Sequence, residues 1–379
     1  MTVEQIYALM NDVTGEILGE TGLVAEDLSN VVDLGDTIVN TAGMDKYVNS
    51  LIDHIGKVVF VNRAYTGNTP SVLMDGWEYG AILEKVTYDE LPEATENETW
   101  DLTDQQVYEQ DTFYQPKVSA KFFQNKTTFE IPMSFAERQV KSAFDNVGQL
   151  NAFFSMIENA IQSSMTVKTD ALVERTINNM IAETLGDTSD TRLNRKVNLL
   201  SMYNTKFSES LTADQAITTP EFIRFAAYMM GIYSKRLTKM SSLFNIGGKP
   251  RFTPKDRQHI ILLSEFEQAA GVYLESDTFH NEFVKLPKAE SVPYWQGSGT
   301  GYAFEATSKV KVTSSGGKSV DQGGIIGIMF DRYALGVANI DRRVTTHYNA
   351  KAEFFNNWYK ADEGHFNDLN ENFVVFYLQ

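Results

Sequence analysis

At 379 residues, 42% of them hydrophobic and none of them cysteine, the chain is long enough to bury a large core, and it excludes disulfides, zinc–thiolate centres and cysteine nucleophiles. Its 50 acidic and 33 basic residues leave a net charge of −17, which repels phosphate and argues against sequence-specific nucleic-acid binding. That balance suits ordinary solubility, or the inner wall of a container whose contents are polyanionic.

Thr2 and Gln5 form a capping-box pattern ahead of Val3, Ile6, Tyr7, Met10, Val13 and Ile17, which predicts a short amphipathic helix. No secretion signal is expected there, because a basic segment followed by an apolar run is missing. Nor does any run approach about 18 consecutive apolar residues, so no membrane partner is expected. Residues 19–43 mix Gly, Asp, Asn and Thr with small apolar clusters and read as an extended arm that needs a surface to lean on. The helical period returns in Met44, Tyr47, Val48, Leu51, Ile52 and Ile55, with Gly56 as C-terminal cap, and Lys57–Val61 reads as a strand.

Short strand-like runs follow, among them Ala81–Leu83 and Thr127–Ile131. Between them, residues 84–111 hold ten acids against the single base Lys85, nine net negative charges. Like charges so dense predict a solvated projection, or a segment that meets basic groups on another chain.

A long helix is expected from Asp145 or Asn146 to about Leu185, closed by Gly186, with an apolar face and a kink between Ser163 and Thr169 left open. A small globule seldom needs a rod that long, whereas a flat, plate-like subunit does. Residues 186–218 read as a polar connector with one strand-like or helical patch at Val197–Tyr203. Thr219, Pro220 and Glu221 then predict an N-cap, a first turn and a helix to about Arg236. A strand at His259–Leu263 and a helix opening at Ser264 with Glu267 complete an α+β unit. Val310–Val312 and Gly324–Phe330 read as a hairpin whose tip is Ser314–Ser319.

No constellation for catalysis emerges. The five histidines, at 54, 259, 280, 347 and 365, include no pair at metal-ligand spacing. Gly317-Lys318-Ser319 superficially matches a phosphate-binding loop, but Val312 stands where that pattern requires glycine. Gly297, Gly299 and Gly301 lack the strand-before, helix-after setting of a dinucleotide site. Exposed carboxylate pairs such as Asp89-Glu90 lack the burial that tunes an acid for catalysis. No catalytic, cofactor-binding or metal-binding residue is therefore assigned.

Two segments carry a family resemblance. Tyr47–Val59 resembles the helix-to-strand entry of capsid proteins from short-tailed phages of the phi-twenty-nine group. Ile326–Arg332, Val344–Tyr348 and Phe373–Phe376 are similar to the closing strands of those proteins. The order of elements resembles the Hong Kong 97-type fold of tailed-bacteriophage major capsid proteins.

That resemblance implies an N-terminal arm (1–57), an extended loop with its base strands (58–135), a peripheral domain with a spine helix (136–216), an axial domain (217–335) and closing strands of the peripheral domain (336–379). It implies a head protein whose pentamers and hexamers form an icosahedral shell, assembled in a bacterial cytoplasm. The shell would enclose double-stranded DNA held without sequence specificity, with portal and scaffolding proteins as further partners. The extended loop would be ordered by neighbouring subunits. Its expected interface residues are Trp77, Tyr88, Glu93, Glu96, Glu98, Trp100, Asp101, Asp104, Tyr108 and Phe113, the alternative for the aromatics being a local cluster within one subunit. Removing residues 84–111 is expected to leave a folded subunit that closes no shell. An encapsulin-like compartment subunit, and a hydrolase using two of the many acids, stay open as alternatives.

Overall fold

The computed structural model describes residues 70–74, 83–88, 101–108, 111, 113–115, 117–136, 147–190, 194–275, 289–295, 308–314 and 316–379, with positions 11, 92, 94 and 96. The helices expected at 2–17 and 44–55, the arm at 19–43 and the strand at 57–61 lie outside these residues.

The longest element is α1 (Val147–Leu185), whose 39 residues span about 58 Å at about 1.5 Å per residue. It continues as helix through Ser163–Thr169. Ile161, Met165, Leu172, Val173, Ile177, Met180 and Ile181 are buried along it at helical spacing. The buried hydroxyls of Thr176 and Thr184 donate to the carbonyls four residues back, Leu172 at 2.8 Å and Met180 at 2.9 Å, so they cost no unpaired polar group. No helix among the described residues is long and apolar enough to cross a membrane.

Two sheets flank this rod. In the first, β4 (Lys126–Ala136), β11 (Leu335–Asn349) and β12 (Phe354–Asn367) run antiparallel, and β1 (Leu73–Met74) adds parallel to β11 in the order β1-β11-β12-β4. Side chains alternate with period two: Phe355, Tyr359 and Ala361 are buried, whereas the opposite face carries polar pairs. On that face Lys360 meets Glu130 at 3.1 Å and Ser134 donates to Asn356 at 2.6 Å.

The second sheet has the order β5 (Lys196–Asn198), β13 (Phe373–Tyr377), β10 (Ile325–Asp331), β6 (Gln258–Leu263), β7 (Glu290–Val292). Its central strand β10 is buried at every residue, as a strand covered on both faces must be. It lies antiparallel to β13 and β6, and Gly327 lets the backbones close in, since a Cβ there would stand 2.7 Å from Leu262 Cδ2.

Helix α2 (Leu199–Phe207) follows β5, and its N-cap Asn198 accepts from Ser201 N at 3.0 Å. Helix α4 (Pro220–Leu237) buries Phe222, Ile223, Ala226, Met230 and Tyr233 into one hydrophobic cluster shared with the sheet. Helix α5 (Ser264–Glu275) runs on directly from β6.

Three expectations need correction. Helix α3 (Ala213–Thr218) lies inside the supposed polar connector, held by a complete capping box of Thr212 and Gln215 that the polar text disguised. Thr219 does sit at the N-cap of α4, but its hydroxyl donates to Gln215 O at 2.8 Å and makes no cap bond. The hairpin at 310 pairs β8 (Val310–Thr313) with β9 (Ser319–Gln322), not with 324–330. The chain breaks between them at Gly324, whose φ of +65° favours glycine, and β10 joins the five-stranded sheet. Pairing likewise divides the chain's final segment: β11 and β12 belong to one sheet, β13 to the other.

Candidate assembly interface

A two-stranded hairpin of β2 (Leu83–Tyr88) and β3 (Val118–Phe123) stands apart from both sheets, with Glu84 opposite Phe122, Val86 opposite Ala120 and Tyr88 opposite Val118. Those six side chains all point to solvent, and four of them, Val86, Tyr88, Val118 and Phe122, are large hydrophobics between 49% and 61% exposed. The face turned toward the protein carries Leu83, Lys85, Thr87, Ser119, Lys121 and Phe123. Against the usual polarity of a surface hairpin, both lysines thus lie on the inner face beside Leu83 and Phe123, while four large hydrophobics face outward.

The inner cations have a built receptor in the loop joining β12 to β13. Lys85 Nζ donates to Asp368 Oδ2 at 2.8 Å, to Glu371 Oε1 at 2.6 Å and to the Tyr333 carbonyl at 3.3 Å. Lys121 Nζ donates to Asp368 Oδ1 at 3.0 Å, and the Phe123 ring packs on Phe366 at 5.1 Å. Arg251 adds a contact to Glu371 at 3.7 Å and reaches the Tyr88 carbonyl at 3.4 Å. Asp368 is 3% exposed. Burial pushes its carboxyl up, and Lys85 and Lys121 overcome that push and hold it below the ordinary carboxylate range. Because the receptor loop connects the two sheets, the hairpin is rooted at their junction.

The segment entering the excursion is fixed as well. Ser71 N donates to Glu290 Oε2 at 2.8 Å, the Ser71 hydroxyl also donates to that carboxylate, and His259 Nε2 lies 3.0 Å from it. The His259 ring stacks on Phe330 at 5.0 Å. This histidine acts as a structural partner, and among the described residues no other imidazole joins it. Among the described residues no cluster of histidine and carboxylate side chains could hold a metal ion.

Of the ten interface residues expected from sequence, Trp77, Glu93, Glu98 and Trp100 lie outside the described residues. Tyr88 ends β2 on its outer face. Glu96, Asp101 and Asp104 are exposed. Tyr108 is 42% exposed, and its hydroxyl accepts from Thr103 N at 3.0 Å. Phe113 is 85% exposed, as is Tyr114, so these two rings do not form a local cluster within the subunit.

Sequence reasoning missed Lys85 and Lys121 as anchors, together with their acceptors Asp368 and Glu371. The available signal was Lys85 itself, a lone base among ten acids. Its partners lie more than 280 residues away and left no local mark.

The loop with a phosphate-binding look is already occupied by the chain. Gly316 N donates to Glu183 Oε1 at 2.6 Å, and Lys318 Nζ lies 3.5 Å from Glu183 Oε2. The carboxylate of α1 takes the place an anion would need.

A family model described as Phi29-like phage major capsid protein matches residues 7–377. Among solved structures, the capsid structure of Staphylococcus phage Andhra aligns with a TM-score of 0.52 at 8% identity, covering 84% of this chain and 87% of that one. A structure of the head fiber and inner core protein of native bacteriophage P68 aligns with a TM-score of 0.51 at 9% identity, covering 81% and 83%. No curated protein matches the sequence.

Proposed function

Since the chain belongs to the Phi29-like phage major capsid protein family, a family of structural shell subunits and not of enzymes, we propose that its β2–β3 hairpin is the element that joins neighbouring copies. The observation that carries this reading is the pair of opposed faces on β2 and β3. Ion pairs lock one face to the chain's own junction loop, and the other presents large apolar side chains to solvent. Five apolar or aromatic groups on a small patch mark a surface that a partner covers.

In this reading the fold is of the Hong Kong 97 type. Residues 1–57 form the arm, 58–135 the extended loop, 136–216 the peripheral domain with α1 as spine, 217–335 the axial domain and 336–379 the closing strands. Tyr88, Glu96, Asp101, Asp104, Tyr108 and Phe113, with Trp77, Glu93, Glu98 and Trp100, contribute to contacts within pentamers and hexamers. The shell is icosahedral, assembles in the bacterial cytoplasm with portal and scaffolding proteins, and encloses double-stranded DNA that it does not read. The net charge of −17 supports that last point, because an acidic wall releases packed polyanion. The family match gives no support to an encapsulin.

The test keeps the clamp and changes only the outer face. In V86D/F122D the purified subunit is expected to unfold close to the wild-type temperature, yet to sediment as a small species where wild type forms shells. Shells of normal size and yield from this variant would refute the role of the hairpin.

A further inference from the structure

The C-terminal end of α4 and the loop after it enclose an open cavity of about 700 Å³. Ile232, Leu243 and Phe244 form its apolar side, and Lys235, Arg236 and Lys239 its charged side. Among the described residues no acid lines it, in a chain where acids outnumber bases by 17. Met240 and Leu243 at its rim are 42% and 44% exposed. Lys235 and Arg236 complement the carbonyl end of the helix, which accounts for cations in its last turn. That effect explains neither Lys239, beyond the helix, nor the apolar rim. Arg236 is steadied over the Tyr233 ring at 5.3 Å, whereas Lys235 and Lys239 make no ion pair among the described residues.

We infer that this cavity receives the part of the acidic excursion beyond β2, residues 89–111, of a neighbouring copy. The inference rests on the shell reading above and names the surface that meets the excursion. Complementarity carries it on both counts. The excursion has nine net negative charges for the three cations. Beside Asp101 and Asp104 it presents Leu102 and Val107, 65% and 88% exposed, for the apolar side. Residues 101–108 are exposed in their own subunit, so they do not fill their own cavity. Nucleic acid fits less well, because phosphates would use the cations and leave the apolar wall uncovered, and the overall charge opposes their approach.

The experiment uses full-length chain and reversed charges. K235E/K239E and D101K/D104K are each expected to unfold like wild type and to lower shell yield, read by sedimentation velocity and negative-stain microscopy, by about tenfold. Combining the four substitutions restores contacts of opposite sense and is expected to recover most of the yield. Raising the salt concentration should weaken wild-type assembly more than that of a variant lacking these charges. A combined variant no better than either parent would overturn the inference. So would binding of a short DNA duplex that wild type shows and K235E/K239E loses. If K235E/K239E assembles normally while V86D/F122D does not, the cavity assignment fails and the hairpin reading stands. If V86D/F122D also assembles normally, both fail.

Discussion

The five-stranded sheet and the β2–β3 hairpin obey opposite rules within one chain. In β10 every side chain from Ile325 to Asp331 is buried, and Phe330, Phe373 and Phe376 pack among residues of the same subunit. Even its buried charge is satisfied internally, with Asp331 taking bonds from Thr253 Oγ1 at 2.9 Å, Arg257 at 3.0 Å and Tyr333 N at 2.9 Å. The hairpin turns both its lysines inward and four large hydrophobics outward, so that apolar surface is left for another molecule. The first region is complete as a monomer and the second is not. An account of stability based on the subunit alone therefore describes the sheet and misses the purpose of the hairpin.

The sharpest contrast comes from truncating each region. Phe330→Ala removes a fully buried ring stacked between His259 and Phe373, and should cost the unassembled subunit about 3–5 kcal/mol in denaturant unfolding. A loss below about 1 kcal/mol would mean that this sheet is not the organising core.

Asp368→Asn should cost about 1–3 kcal/mol, toward the lower end because the Lys121 side chain is 41% exposed. The carboxyl's folded pKa is lowered from 3.8, so its contribution is present above about pH 4 and disappears as pH falls through the lower folded value. Wild type and variant should therefore converge in acid and diverge at neutral pH. Parallel curves would deny the clamp its ionic character.

Glu174 on α1 behaves in the opposite sense. Burial, aided by Asp170, pushes its carboxyl from 4.5 up to about 7. Its raised value means that stability present below pH 4.5 is lost as pH rises to about 7. Glu174→Gln should thus leave stability unchanged near pH 4 and raise it at pH 8 by about 1–2 kcal/mol, a figure reduced for partial solvent access. Thermal unfolding across that range is the check, and a variant less stable at pH 8 would contradict it. The smallest effect belongs to the hairpin's outer face. V86D/F122D should alter the unassembled subunit by less than about 1 kcal/mol, because both side chains are more than half exposed and only cross-strand contacts change.

Much of the molecule was legible from local pattern. The long helix, the proline-opened α4 and the strand at 258–263 follow from periodicity and capping chemistry, which act within a few residues. The acidic excursion and its aromatics likewise stand out by composition. Less visible was β12, where Glu363 and Asn357 are buried on the covered face and break the apolar alternation. Glu363 accepts from Arg342 at 3.4 Å across the sheet, a pairing that depends on register.

By itself, the sequence determined the lengths of the elements, the charge of the projecting segment and the absence of thiol chemistry, because each depends on neighbours along the chain or on totals. Only the tertiary structure decided which face of the hairpin turns inward. That choice depends on Asp368 and Glu371 meeting Lys85 and Lys121 across 247 to 286 residues of chain. Alternation in β2 and β3 permits either orientation, and long-range electrostatics at a buried junction selects one.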